Sequence, residues 1–268
     1  MPHARQVGAA WDKKLEDYAY TTALDRPGWA WEFLRRNKLF KDDFPLSRAD
    51  SPIPIRHVSG TIYMRAKRRF LRAESWGLLT FPDPRKSALD ADVFWVPEQL
   101  THHVKAHSGH PDTVETETFS LSDFDCRRSV LSLDSIEHVI VRHGPESARL
   151  SVAGLSILHG KRKLTYQIEG LAQIGKAFTT LQTLSRLQTK SPSQRSSDHT
   201  QRPKWHDYLV ALDGNLEGRS YRDIAEVLHG SEQVKSVWTS ETRYLKERMR
   251  RAVENGVALM NGEYRTLL

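Results

Sequence analysis

The 268 residues carry 40 Lys and Arg against 33 Asp and Glu, a net charge of +7 with an isoelectric point near 9.5, and this moderate excess suits a nucleic-acid partner without demanding one. The single cysteine, Cys126, excludes an intramolecular disulfide and a cysteine-rich zinc site and fits a reducing cytosol. No stretch approaches the ~20 apolar residues of a membrane span and no apolar run follows Arg5, so the expectation is a cytoplasmic chain without membrane contact or signal peptide.

The first 45 residues read as a small helical unit, aromatic-rich over 11–20. Asp25-Arg26-Pro27-Gly28 is a turn and helix start, because Asp caps free N–H groups and proline leaves none unpaired. Trp29, Phe33 and Leu34 then share a face, and Pro45, Pro52 and Pro54 interrupt the chain. A mixed body follows over 56–188. In it, Arg65, Lys67, Arg68, Arg69 and Arg72 surround Phe70 and Leu71, either as a phosphate-binding patch or as a helix face with buried arginine stems. His102, His103, His107 and His110 form the densest histidine cluster. On a helix His103 and His107 would share a face, and a polar helix end is preferred over a metal site. Strands are expected over 136–142, 149–158 and 163–168, the first two joined by the hairpin loop His143-Gly144-Pro145-Glu146-Ser147. Helical spacing returns in Leu171, Ile174, Phe178, Leu181 and Leu184, which predicts a helix covering an antiparallel meander. Residues 189–202 read as a polar linker.

The clearest functional signal lies in 203–268. Trp205, Tyr208, Leu209 and Leu212 form one helical stripe, which Asp213-Gly214 is expected to end. Ser220-Tyr221-Arg222-Asp223 is a capping box, in which hydroxyl and carboxylate satisfy orphan N–H groups. Tyr221, Ile224, Ala225 and Leu228 line the helix it opens, and His229-Gly230 stops it. A third helix is expected from Thr239 or Ser240 to Asn255-Gly256. It turns Leu245, Met249, Ala252 and Val253 inward and carries Arg243, Lys246 and Arg250 on another face, flanked by Arg248 and Arg251. A short helix, a turn and a longer basic helix make the geometry that seats a helix in a DNA major groove. The candidate DNA-binding residues are therefore Arg219 and Arg222 at the second helix start, and Ser240, Arg243, Lys246 and Arg250 on the third. Glu241, Glu247 and Glu254 dilute this charge, so a solvated helix face is the competing reading.

Two further sets of motifs carry a resemblance. Tyr18-Ala19-Tyr20 and the run from Asp25 to Asn37 (DRPGWAWEFLRRN) resemble an N-terminal transcriptional-regulator-like domain found on bacterial integrative and conjugative elements. Trp76-Gly77-Leu78, Phe81-Pro82-Asp83-Pro84 and Phe94-Trp95-Val96-Pro97 are similar to the segment after it. Ser220 to Ala225, Leu245 to Arg251 and the tail from Asn261 to Leu268 resemble the domain shared by the FseA-type excision activators and their QseM-type anti-activators. The resemblance implies a transcriptional activator that switches on excision, since both ends stand in one chain.

Enzyme motifs fail on inspection. Five residues separate Gly154 from Gly160 where a phosphate loop needs four, and Arg162 stands where Ser or Thr must bind magnesium. No Gly-x-Ser-x-Gly elbow occurs, and neither Pro82-Asp83 nor Pro111-Asp112 is followed by an acid-x-Lys pair. The expectation is thus an α+β protein with no catalytic residues, no metal and no cofactor. It has a small N-terminal helical module (1–45), a mixed α/β body with an antiparallel meander (56–188), a linker (189–202) and a C-terminal helix-turn-helix (203–268). Its expected partner is double-stranded DNA, with RNA polymerase or an anti-activator protein as further partners. The rival readings are a protein-interaction regulator that does not bind DNA, and a nuclease.

Overall fold

The computed structural model describes residues 14–47, 51–112, 117–189, 202–237 and 242–268. Most of the expected linker, residues 190–201, lies outside the described residues, as does Ser240. The fold is α+β, and the chain forms two compact units. Among the described residues, one holds 23–189 with Gly262–Leu268, and the other holds 14–22 with 202–261.

The larger unit is built on a seven-stranded mixed sheet. Its strands are β1 (Ile55–Arg56), β2 (Ile62–Arg65), β3 (Val104–Gly109), β4 (Arg127–Leu133), β5 (Ile136–His143), β6 (Glu146–Gly154) and β7 (Lys163–Gln167). They lie in the order β1-β2-β4-β5-β6-β3-β7. β4, β5 and β6 form the antiparallel meander, joined by two tight turns. Asp134 and Ser135 take positive φ (+50° and +62°) in the first, and Gly144 takes +54° in the second. Both suit two-residue hairpins whose twist matches that of the strands. The meander is one strand out of step with the sequence reading. β7 does not continue it but pairs with β3, which runs parallel to β6 and separates the two. β6 also stops at Gly154, not at 158. There φ is +97°, and any side chain would collide with the Ser108 carbonyl.

β3 overturns the helical reading of the histidine cluster, because alternation of buried Val104, Ala106 and Ser108 makes this a strand. The imidazole Nε2 of His103 lies 2.9 Å from Ser151 Oγ, which also lies 2.9 Å from His138 Nδ1. Burial pushes both imidazoles down to about 4. Among the described residues, no group of three or more His, Cys, Asp or Glu is placed to hold a metal ion.

Helix α4 (Ile174–Thr189, so Thr189 is helical and not linker) covers the sheet, but on a different face from the one hydropathy suggests. Leu171, Ile174 and Phe178 are exposed, whereas Ala177, Thr180, Thr183, Leu184 and Leu187 are buried. Small residues let the helix approach the sheet closely. The Thr180 and Thr183 hydroxyls donate to the carbonyls of Lys176 and Thr179 and so enter the interior satisfied. Leu184 and Leu187 join Val130, Val139, Val141, Leu150 and Val152 in one core.

The expected N-terminal module is divided: from Ala23 onward it belongs to this same unit, whereas the stretch up to Thr22 belongs to the other. Helix α1 (Arg26–Leu34) is capped by Asp25, whose Oδ1 accepts from Gly28 N at 2.7 Å. Trp29, Ala30, Trp31, Phe33 and Leu34 are all essentially inaccessible, so α1 is an interior helix and not a separate amphipathic one. Glu32 is buried with them, and burial opposes its charge. Arg35, Arg36 and the Ala88 N–H bond to it and hold its carboxyl below the ordinary range. Helix α2 (Lys38–Ser47) follows, with Pro45 tolerated in its last turn. The basic run is not a helix face either. Only Leu71–Ser75, α3, is helical; Arg69 is bidentate with Glu74, and Arg72 approaches Asp43 at 3.7 Å. The tail, which the sequence suggested would close the C-terminal module, also packs here. Tyr264 is inaccessible, lies with its ring tilted 34° to that of Trp95 at 5.8 Å between centroids, and donates to the Trp76 carbonyl at 2.8 Å.

The smaller unit is helical: α5 (Arg202–Leu216), α6 (Tyr221–His229), α7 (Ser231–Val237) and α8 (Thr242–Met260), with the 3-10 stretch Leu15–Ala23 laid on α5. The stripes of the second and third helices meet as expected: Ile224, Ala225, Leu245, Met249, Ala252 and Val253 share one core, to which Ala211 and Val234 add and against which Tyr208 of the first stripe packs. Two helix ends differ from expectation. α5 runs through Gly214 to Leu216, and the chain turns at Gly218, with φ +71°. α8 runs through Gly256, where a Cβ would stand 2.5 Å from the Tyr208 carbonyl oxygen and 3.0 Å from Leu212 Cβ. That glycine permits close approach of α5 and α8 and is not a C-cap.

Candidate nucleic-acid interface

The candidate interface lies on α6, α7 and α8, and local sequence fixes the start and stop of α6 and the start of α7. Ser220 Oγ accepts from Asp223 N at 3.2 Å while Asp223 Oδ2 accepts from Ser220 N at 2.9 Å, so the capping box closes as its spacing requires. Gly230, with φ +85°, ends α6, and its carbonyl accepts the first hydrogen bond of α7 from Val234. The two helices are thus joined through one residue. No helix is expected from the sequence between Gly230 and Thr239, yet Gly230-Ser231-Glu232 is a helix stop followed at once by a helix start, with an acidic first turn suited to the dipole. Val234 is fully buried against Ile224 and Met249 and sets the rotation of α7. Ser231, Glu232, Gln233, Lys235 and Ser236 are all exposed.

Among the sequence-selected residues, Arg222 is held by Glu226 one turn along α6 at 3.0 Å, and Arg219 lies 4.0 Å from Glu217. Arg250 is the most compensated. It meets Glu247 at 2.5 Å and also bonds Glu254, and Arg251 shares Glu247 at 3.1 Å. The Arg250 hydrogen bonds pull the Glu247 carboxyl down to about 2, and Glu247 in turn raises the guanidinium. Both groups are solvent-exposed, so the network fixes side-chain geometry more than it stabilises the fold. Lys246 is exposed and makes no ion pair among the described residues. Of Arg243 only the backbone, in the first turn of α8, is described; its side chain, like Ser240, lies outside.

Arg248, read from the sequence as a flanking cation, is structural: it bridges α8 to Asp207 on α5 at 3.0 Å. Burial works against the Asp207 charge, but hydrogen bonds from His206 and Arg248 outweigh it and hold the carboxyl below its ordinary range. A groove of about 700 Å³ opens beside that bridge, lined by Lys204, Tyr208, Tyr244 and Arg251 among others.

Two family models match the chain. Residues 168–268 match the T6SS transcription factor DNA-binding domain, and residues 11–82 match the proteobacterial transcriptional regulator-like domain. No curated protein matches the chain significantly. The first match covers all of α5 to α8 and the second covers α1 and α2. Among the described residues, no helix is long and apolar enough to cross a membrane. The chain therefore carries a regulator-like N-terminal region and a transcription-factor DNA-binding domain, and it is a transcriptional regulator.

Proposed function

We propose that α6 and α7 form a helix-turn-helix and that the protein activates transcription of excision or transfer genes of a mobile element by binding double-stranded DNA upstream of them. The observation that carries this reading is the closed capping box, the one-residue Gly230 joint and the buried Val234, all inside the stretch that matches a DNA-binding domain. A helix-turn-helix joins two helices through a short turn that often contains glycine, and its second helix enters the major groove. Lys246 and Arg243 supply phosphate attraction from α8, with Arg219 and Arg222 near the start of α6 and Ser240 ahead of α8 as further contacts. Arg250 supplies less, because Glu247 and Glu254 already neutralise it. Activation requires a second contact, with RNA polymerase or with an anti-activator that blocks it. The mobile-element target rests on the resemblance to the excision activators; the T6SS genes named by the matched model are the other class of target.

The test is an electrophoretic shift and footprint on duplexes from upstream of both gene classes. A protected segment upstream of excision genes supports the full reading; one upstream of secretion genes moves the target. Compensation of the α8 arginines favours one alternative, a protein-interaction regulator that leaves DNA unshifted under low salt.

A further inference from the structure

We infer that the exposed face of α7, made of Glu232, Gln233 and Ser236, reads the edges of DNA bases, while α8 supplies attraction without sequence preference. The inference rests on the DNA-binding reading above and goes further by dividing the two roles between helices. Val234 is fully buried, which fixes the rotation of a seven-residue helix about its axis. At about 100° per residue, Glu232 and Ser236 then point almost directly away from the core, with Gln233 beside them. All three are exposed.

Their chemistry suits bases and not phosphates. A glutamine side chain can make paired hydrogen bonds to the N6 and N7 of adenine, a glutamate accepts from the N4 of cytosine, and a serine does either. The only cation on α7, Lys235, lies 2.9 Å from Glu232 and is neutralised by it. The helix therefore has no net charge with which to hold a phosphate. α8 has the opposite character: among the described residues Lys246 has no ion-pair partner, and the exposed face from Lys246 to Glu254 is dominated by charged side chains. The capped α6 and the Gly230 joint hold α7 on its own core, so the division is built into the packing.

The experiment uses the full chain and a library of duplexes with a randomised centre. Preferred duplexes are selected with the parent protein, and affinity for a selected duplex is compared with affinity for a scrambled one across a salt series. The variants are Gln233→Ala with Ser236→Ala, and Gln233→Arg alone. The double variant is expected to lose about tenfold or more of the selected-to-scrambled ratio while its salt slope stays that of the parent. Gln233→Arg is expected to move the selected base at one position from adenine towards guanine, which no unfolding would produce. A double variant that is folded, by an unchanged helical spectrum and melting curve, and keeps the parent's ratio overturns the inference, as does a Gln233→Arg variant that selects the parent's sequence. A parent that binds no duplex at low salt overturns the DNA-binding reading itself, and this inference with it.

Discussion

Tyr18 donates its phenolic hydrogen to Asp213 at 2.9 Å, across 195 positions of sequence, and its ring meets His206 edge-on with centroids 6.0 Å apart. A residue from the N-terminal stretch thereby completes the helical unit that carries α6 to α8. Tyr18 is only 2% exposed, so both the ring and the bond matter. Tyr18→Phe should lower the stability of that unit by about 1 kcal/mol, the net value of one hydrogen bond. Tyr18→Ala should cost about 3–5 kcal/mol, as truncation of a buried aromatic does. Denaturant melts followed through helical signal provide the check. An Ala variant as stable as the parent would show that the N-terminal stretch is not part of this unit.

Gly256 gives a prediction whose sign separates two explanations. In a solvent-facing helix interior, Gly→Ala stabilises by up to about 1 kcal/mol. Here a Cβ would stand 2.5 Å from the Tyr208 carbonyl oxygen, which is backbone and cannot swing aside. Gly256→Ala should therefore destabilise by about 1–3 kcal/mol, the range for overpacking. A higher melting temperature in the variant would mean that α5 and α8 are not held this close.

The two imidazoles around Ser151 predict a pH dependence of the larger unit. Burial lowers both from the ordinary 6.5 to about 4, so between those values the unfolded chain binds protons that the folded chain refuses. Their contribution is fully present above about 6.5 and is lost as pH falls towards about 4. His138→Gln, which keeps a polar group near Ser151, should flatten the fall in melting temperature over that window relative to the parent. Parallel curves for the two proteins would remove the histidines as its cause.

Much of the smaller unit was legible in the sequence because its signals are local. Trp205, Leu209 and Leu212, then Ile224 and Ala225, then Leu245, Met249 and Val253 fall at helical spacing, and all are buried. The capping box at Ser220 closes as its four residues imply. What misled were residues whose role is set by distant partners. Gly256 looks like a helix stop but is a contact with Tyr208. Thr180 and Thr183 look like solvent positions, yet they are buried because their own helix satisfies them, while Leu171 and Phe178 face outward. β3 does not read as a strand because His103 and His107 also fall at helical spacing. Its place between β6 and β7 depends on pairing that no local pattern encodes. In the candidate interface, Lys246 and Arg250 lie on one helix as their spacing implies, but the pairing of Arg250 with Glu247 and Glu254, and of Arg222 with Glu226 on α6, depends on side-chain geometry that spacing alone does not give.

The most direct test of the central claim is a salt titration of DNA affinity with the parent, Lys246→Ala and Arg250→Ala on one duplex. If phosphate attraction comes from the C-terminal helical unit, with its cations graded by how far carboxylates already neutralise them, the parent should shift the duplex at low salt. Lys246→Ala should weaken binding and reduce the salt slope by about one counterion. Arg250→Ala should change the slope less than Lys246→Ala does, since Arg250 is shared between Glu247 and Glu254. A parent that leaves the duplex unshifted, or variants whose slopes match the parent's, would contradict the claim.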